Sequence, residues 1–568
     1  MSLSTTLNIA RSGLAVNQAA LQTVGNNISN VGNPNYTRQT ANIATQPDYE
    51  LSPGKFVGNG VRLDGISRQI DDALEGRLRN STSDSESAGT QQQWLSRVEA
   101  VFNELSDQDL SSKLSKFFNS WSELANKPQD AGLRQIVLQE GKSVAQWFKK
   151  IDGDLQSLSS DLNQRTKSVA ANADQLASKI AEFNVKIVEA ESVGGGAQAN
   201  GLRDQRDTAL KELSAIMDIR TIEQPSGVVN VYVGSEPLVS NGSSRGVSTS
   251  TETLDGQQVT KVTFTSTGGD IRMEAGQLGA LQKMRVSLDA TLKQTNDLAT
   301  GLIFSLNKTH SAGQGLAGVA SVIGTTNVTD TTKALNDPTS GVRQPPSTGS
   351  FVVHVKDKAT GLSTSTLVQI DLDGQGADTT LDSLITQLDG VDGITAVNNA
   401  GRLQINADNA PATEITFSQD SSGTLASLGV NTFFTGHNAT TIDINATVKG
   451  NPQLLAAAQN GNSGDNQTAR AIANLEKQSV TALNGQTLTE SYESIINTVS
   501  TDSSTAKTNA EASSVVLETL QAQREALSGV SLDEEAVNII RYQRAFQGAA
   551  RLITVVDEMM QTMLNMVR

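Results

Sequence analysis

Leu3, Leu7, Ala10, Leu14, Asn17, Leu21, Val24, Ile28 and Val31 fall at alternating steps of four and three residues. At the far end Leu532, Ala536, Ile539, Gln543, Phe546, Ala550, Ile553, Asp557, Met560, Leu564 and Val567 repeat that spacing. Steps of four and three hold a stripe on one helix face, the pattern of helices that wrap around a partner. The spacing predicts a first helix over residues 2–31, about 45 Å long at 1.5 Å per residue. Asn30-Val31-Gly32-Asn33-Pro34-Asn35-Tyr36 should end it, because Pro34 cannot continue a helix and Asn35 tolerates a left-handed turn. The last helix is expected to begin at Ser531, with Glu534 three residues on completing a capping box.

Between these ends the period changes several times. Residues 37–66 read as extended and loop-rich. From Ile70 to Glu191 the pattern is helical, broken at Lys127-Pro128 and ended by Gly194-Gly195-Gly196, and it holds all three tryptophans. A short helix over Leu202–Met217 precedes strands at Val228–Val233 and near Val259, Val262 and Phe264. A helix from Gly276 to His310 leads into a β-like stretch over 311–460, with one helix at Leu381–Leu388. Helix resumes near Thr468, and Leu488, Tyr492, Ile495, Val499, Asp502 and Ala506 begin a stripe that runs to Leu527 through a polar middle.

The expected class is α+β multidomain: nested, coiled-coil-like helical domains formed by both chain ends, with β-rich domains inserted. The boundaries read as 1–66 plus 528–568 for a terminal helical domain, and 67–217 plus 276–312 plus 461–527 for a long-helix domain. The inserts are 218–275 and an outer one over 313–460.

Composition narrows the function more than the fold. With 568 residues, 37 % hydrophobic, 4 % aromatic and 18 % charged, the chain is too long for one core and too polar for a large enzyme interior. Its net charge of −16 and scattered basic residues argue against nucleic acid. Zero cysteines remove thiolate catalysis, thiolate metal sites and disulfides, and favour a life outside the cell. No cleavable leader and no run of 18 apolar residues is visible, so the expectation is an exported protein without membrane insertion.

The two ends carry motifs as well as stripes. Asn26-Asn27-Ile28-Ser29-Asn30-Val31, followed by Pro34-Asn35-Tyr36-Thr37-Arg38-Gln39, resembles the signature of bacterial flagellar axial proteins, the rod, hook and hook-associated family. In that family an amphipathic helix runs into Asn-Asn-Ile-Ala-Asn and a Pro-Gly-Tyr turn; here Asn35 replaces the glycine. The stretch from Gly529 to Thr554, with Arg541-Tyr542-Gln543-Arg544-Ala545-Phe546-Gln547 at its centre, looks most like the members at the hook–filament junction. Asn466–Ile472 and Ser427–Phe434 support that choice. The resemblance implies a structural subunit joining hook to filament, homo-oligomeric in the flagellar axis and exported through the flagellar type III apparatus. It further implies hook protein and a second junction protein of the filament side as neighbours, and a cytoplasmic export chaperone covering the C-terminal helix. A hook or rod subunit, or a secreted adhesin or hydrolase, are the rivals.

The residues expected to carry assembly are Leu3, Leu7, Leu14, Leu21, Val24 and Ile28, with Leu532, Ile539, Phe546, Ile553, Met560 and Leu564. The family turn adds Asn26, Asn27, Pro34, Asn35 and Tyr36. No catalytic, cofactor or metal site is expected. Gly313-Gln314-Gly315-Leu316-Ala317-Gly318 has the letters of a dinucleotide fingerprint but follows a helix. Asp371-Leu372-Asp373-Gly374 reads as a hairpin turn before a calcium loop, because Gln375 and Asp382 stand where further ligands would be needed. His310, His354 and His437 lack metal spacing.

Overall fold

The computed structural model describes residues 3–102, 109–193, 197–254, 256–462 and 464–566; Gly194–Gly196 and Val567 lie outside them. The helices are α1 (Leu3–Ser29), α2 (Asp72–Phe102), α3 (Leu110–Asn126), α4 (Ala131–Val193), α5 (Asn200–Ile216) and α6 (Gly276–Ser311). They continue with α7 (Leu381–Asp389), α8 (Thr424–Leu428), α9 (Ala446–Gly450), α10 (Gln467–Asn474), α11 (Leu488–Ser528) and α12 (Leu532–Met566). Two compact units result. One takes the chain up to Trp94, Ser160–Arg285 and the part from Ser504 on; the other takes Leu95–Ser159 and Val286–Ser503. The long-helix segments expected as one domain are distributed over both.

In the first unit the strands are β1 (Gln39–Thr45), β2 (Tyr49–Ser52), β3 (Lys55–Val57) and β4 (Val61–Arg68), then β5 (Ile219–Glu223), β6 (Val229–Val233), β7 (Glu236–Ser240), β8 (Ser243–Ser244), β9 (Val247–Leu254) and β10 (Gln257–Phe264). β1 and β4 form an antiparallel ribbon against α1, and β5-β6-β7-β8 form a sheet. Side chains of α4 hold these strands by their backbones. Asn184 Nδ2 donates to Val229 O (2.8 Å) and its Oδ1 accepts from Val229 N (3.0 Å). Asn163 does the same with Gln258 O and Thr260 N, and Asp174 accepts from Val247 N. A buried strand edge must find partners, and the amide offers a donor and an acceptor at once.

The second unit has two cores. In the first, Asp109 caps α3 by accepting from Ser112 N (2.8 Å), and the helix stops at Lys127 before Pro128. Asp130 then restarts the chain as α4 through Gly132 N and Leu133 N. Trp121, Phe117, Phe148 and Phe433 are fully buried here, with Phe433 and Phe434 edge to face at 4.8 Å. The second core lies in the expected outer insert, among β11 (Ser321–Ile323), β12 (Gly349–Asp357), β13 (Ser363–Ile370), β14 (Ile394–Asn399), β15 (Arg402–Ala407) and β16 (Thr413–Ser418). Two three-stranded antiparallel sheets, β13-β12-β16 and β11-β15-β14, enclose it. Phe351, Val353 and Val355 of β12 face inward while Val352, His354 and Lys356 do not, the period-two alternation of a half-buried strand.

One turn reading is corrected. β13 pairs with β12 and leads into α7, so Asp373-Gly374 lies in a strand-to-helix loop rather than a hairpin. Thr379 N donates to Asp371 O (2.7 Å) and Thr380 caps α7, so the segment after the loop feeds a helix N-terminus instead of a return strand. The Gly313–Gly318 segment is a loop after α6, as the strand-free context implied.

Candidate assembly site at the chain ends

The end of α1 is fixed by one side chain. Asn27 is 1 % exposed. Its Nδ2 donates to Gln39 O (2.9 Å), while its Oδ1 accepts from Gln39 N (3.0 Å) and from Tyr36 Oη (2.8 Å). Asn27 thus stands in for a neighbouring strand and ties the helix to the start of β1. Burial, then the charges of Asp204 and Glu535, push the Tyr36 phenol up to about 12, so it remains a donor. The left-handed residue of this turn is Gly32, at φ +80°; Asn35 is not among the positive-φ residues. Its replacement of the family glycine therefore introduces no backbone strain. Asn26, Pro34 and Asn35 are exposed, and the carbonyl of Pro34 accepts from Arg524 Nη1 (3.1 Å).

Arg38 closes the turn onto the last helix. Its N–H donates to Ser528 O (3.0 Å), its Nε to Glu535 Oε1 (2.8 Å) and its Nη1 to Glu534. Glu534 therefore does not reach back to complete the expected capping box. A charged guanidinium is the stronger partner for a carboxylate than a backbone N–H, and Ser531 Oγ keeps only a long contact to Glu534 N (3.5 Å). A second arginine, Arg68, binds Asp204 (2.9 Å) and Asp207 (2.6 Å) of α5, and a third, Arg524 of α11, binds Glu75 of α2 (2.8 Å).

From this corner α1 and α12 run antiparallel, with Gly13 facing Ala549 farther along. In α1 the buried residues are Ala10, Val16, Ala20, Thr23, Val24 and Asn27. Leu3, Leu7, Leu14, Leu21 and Ile28 are half-buried at the edge of that face. Small residues take the centre because the β1–β4 ribbon also covers this helix, with Ser12 accepting from Val61 N (3.3 Å). In α12 the covered stripe is Glu535, Ile539, Tyr542, Phe546, Ala549, Ile553, Val556 and Met560. Ile539, Phe546, Ile553 and Met560 are shared with the predicted seam. Tyr542 and Val556 replace Gln543 and Asp557, which leaves the amide and the carboxylate in water, while Ala549 and Ala550 are both half-buried. Leu532 and Leu564 are exposed, at 53 % and 69 %.

The sequence reading missed a second apolar stripe on α12. Leu552, Val555, Met559, Met563 and Met566 step by 3, 4, 4 and 3 and are all exposed. The signal was present: a helix apolar on two faces asks for cover on both.

No catalytic grouping accompanies this corner among the described residues. His310 donates from Nδ1 to Asn431 O (2.8 Å) and accepts at Nε2 from Ala456 N (3.0 Å), a buried neutral imidazole pushed down to about 4 by desolvation. His354 bridges Ser365 and Ser418 across strands. The carboxylates of exposed Asp371 and Asp373 and half-buried Asp378 approach within 4.8 Å, and each accepts a backbone N–H of its own loop. Among the described residues no helix is long and apolar enough to cross a membrane.

Residues 521–566, which include α12, match the family described as Flagellar basal body rod FlgEFG protein C-terminal. Residues 95–323 match Flagellar hook-associated protein FlgK helical domain. Both matches are to families of flagellar proteins. The flagellar hook-associated protein 1 of Escherichia coli (strain K12) is 25 % identical over 99 % of this chain and 100 % of its own length. That of Salmonella typhimurium is 27 % identical over 99 % and 100 %, and that of Bacillus subtilis (strain 168) 25 % identical over 98 % and 97 %. These relatives, each named flagellar hook-associated protein 1, are matched over nearly the whole of this chain. A solved flagellar hook junction protein FlgK from Burkholderia pseudomallei aligns with a TM-score of 0.49 at 15 % identity, covering 80 % of this chain and 100 % of that one.

Proposed function

We propose that this chain is the non-enzymatic subunit that joins the flagellar hook to the filament, exported from the cytoplasm and packed in the axis by its terminal helices. One observation carries the mechanism. The inner faces of α1 and α12 are satisfied within the chain, whereas the half-buried leucines of α1 and the exposed stripe of α12 are not. Apolar surface left in water is driven toward burial at about 25 cal/mol per Å², and a second copy of the same helices supplies the cover. In this reading residues 1–66 and 528–568 act as the axial domain. Hook protein and the next junction protein are the axial neighbours, and an export chaperone covers α12 beforehand.

Gene deletion tests the assignment. Cells should build hooks and lack attached filaments; absence of hooks would overturn it and point to a rod or hook subunit.

A further inference from the structure

Outside the chain ends, the second unit contains a cleft of about 660 Å³ between α6 and the loops of the outer insert. Ile303 and Phe434 supply apolar floor, and Thr326 and Gln344 stand among its polar walls. Two lining residues carry or take up positive charge, Arg343 and His437, and none is Asp or Glu. That is unusual in a chain with 60 acidic residues against 44 basic ones. Arg343 makes no ion pair among the described residues, and its charge reaches His437, whose imidazole is held below its ordinary value first by burial and then by that arginine.

The cleft is built rather than left over. Thr300 Oγ1 donates to His437 O (2.7 Å) and His437 N donates to Thr441 Oγ1 (3.1 Å), which fixes the backbone beneath the imidazole. Gly429 sits at φ +75° where a Cβ would overlap Thr325, so the wall closes to backbone distance. A preformed concave site with a few polar groups is the usual form of a ligand pocket, and preorganisation lowers the entropic cost of filling it.

We propose that this cleft binds an acidic peptide segment, its carboxylate held by Arg343 with His437 as second donor. The volume exceeds what a lone carboxylate fills, the floor takes aliphatic carbons, and the amide and hydroxyl walls suit a peptide backbone. An unpaired guanidinium beside a half-buried imidazole is relieved by one anion that accepts from both.

The three histidines of the chain make the test direct, since their imidazole proton signals are few enough to assign. Full-length protein is titrated with pH with and without N-acetyl-diglutamate amide. Binding should raise the His437 midpoint by roughly one unit and leave His310 unmoved. Arg343→Glu, at an exposed position, should weaken binding by about ten-fold or more, while Arg343→Lys keeps most of it. No His437 shift, an equal shift with the diglutamine amide, or an unchanged response in Arg343→Glu would each overturn the proposal. Glutarate binding as tightly as the peptide would overturn it too, by assigning the cleft to a free dicarboxylate.

Discussion

At three places a buried asparagine on a helix binds both sides of another segment's backbone. Asn27 reads both sides of Gln39, Asn184 both sides of Val229, and Asn307 the N–H groups of Phe433 and Phe434 together with the carbonyl of Phe434. Each supplies what a missing strand would have supplied, which explains how so polar a chain keeps ordered cores. Asn27→Ala strands a buried N–H, a carbonyl and the Tyr36 hydroxyl; urea unfolding should register a loss of about 2–3 kcal/mol. His310 sets a pH limit instead. Its folded value of about 4 lies below the ordinary 6.5, so the unfolded chain takes up the proton first as pH falls. Stability should drop by roughly 3 kcal/mol between pH 6.5 and 4, with Arg134 the charged group facing the ring. His310→Asn should flatten that part of the thermal-stability profile; an unchanged slope would place the effect elsewhere.

At the scale of elements, the first turn of α12 is a receptor for Arg38. Glu535 is 1 % exposed with one oxygen lacking a partner, whereas the Glu534 side chain is 61 % exposed. Glu535→Ala leaves a largely buried guanidinium short of its charge, so it should destabilise by about 3 kcal/mol and expose α12 to limited proteolysis. Glu534→Ala should change stability by less than about 1 kcal/mol in the same assay, because water screens its pair. The α11 stripe behaves in a related way. Its apolar members from Leu488 to Ala506 are buried while Asp502 is exposed, and beyond Ala506 as far as Leu527 no residue is fully buried, so cover is lacking well beyond the polar middle that the sequence marked.

For the whole molecule, the terminal helices are half finished by intramolecular packing. Met559 is 50 % exposed on the outer stripe of α12, and Val555 precedes it by one turn. Val555→Asp and Met559→Asp should leave the unfolding midpoint of the isolated chain nearly unchanged, within about 0.5 kcal/mol, since each side chain already meets water. The same variants should fail to attach filaments in motile cells. Attachment at the normal level would remove this face from the assembly surface.

The positions of the long helices, the break at Pro128, the stop of the first helix near Asn30–Tyr36, and the alternation of β12 were written in the local pattern. Apolar period, prolines and caps act over a few residues and need no distant partner. The turn motif was also legible as letters, and its resemblance pointed to the flagellar proteins that this chain matches over nearly its whole length. Its working parts were not: that Asn27 binds Gln39, that Gly32 rather than Asn35 turns left-handed, and that Arg38 takes Glu534 from its cap follow from segments brought together across the chain. The choice between Gln543 and Tyr542 for the seam was likewise open in sequence, because both lie within the reach of one stripe. Packing against α1 decided it, since only a neighbouring helix fixes which side of a stripe leaves water.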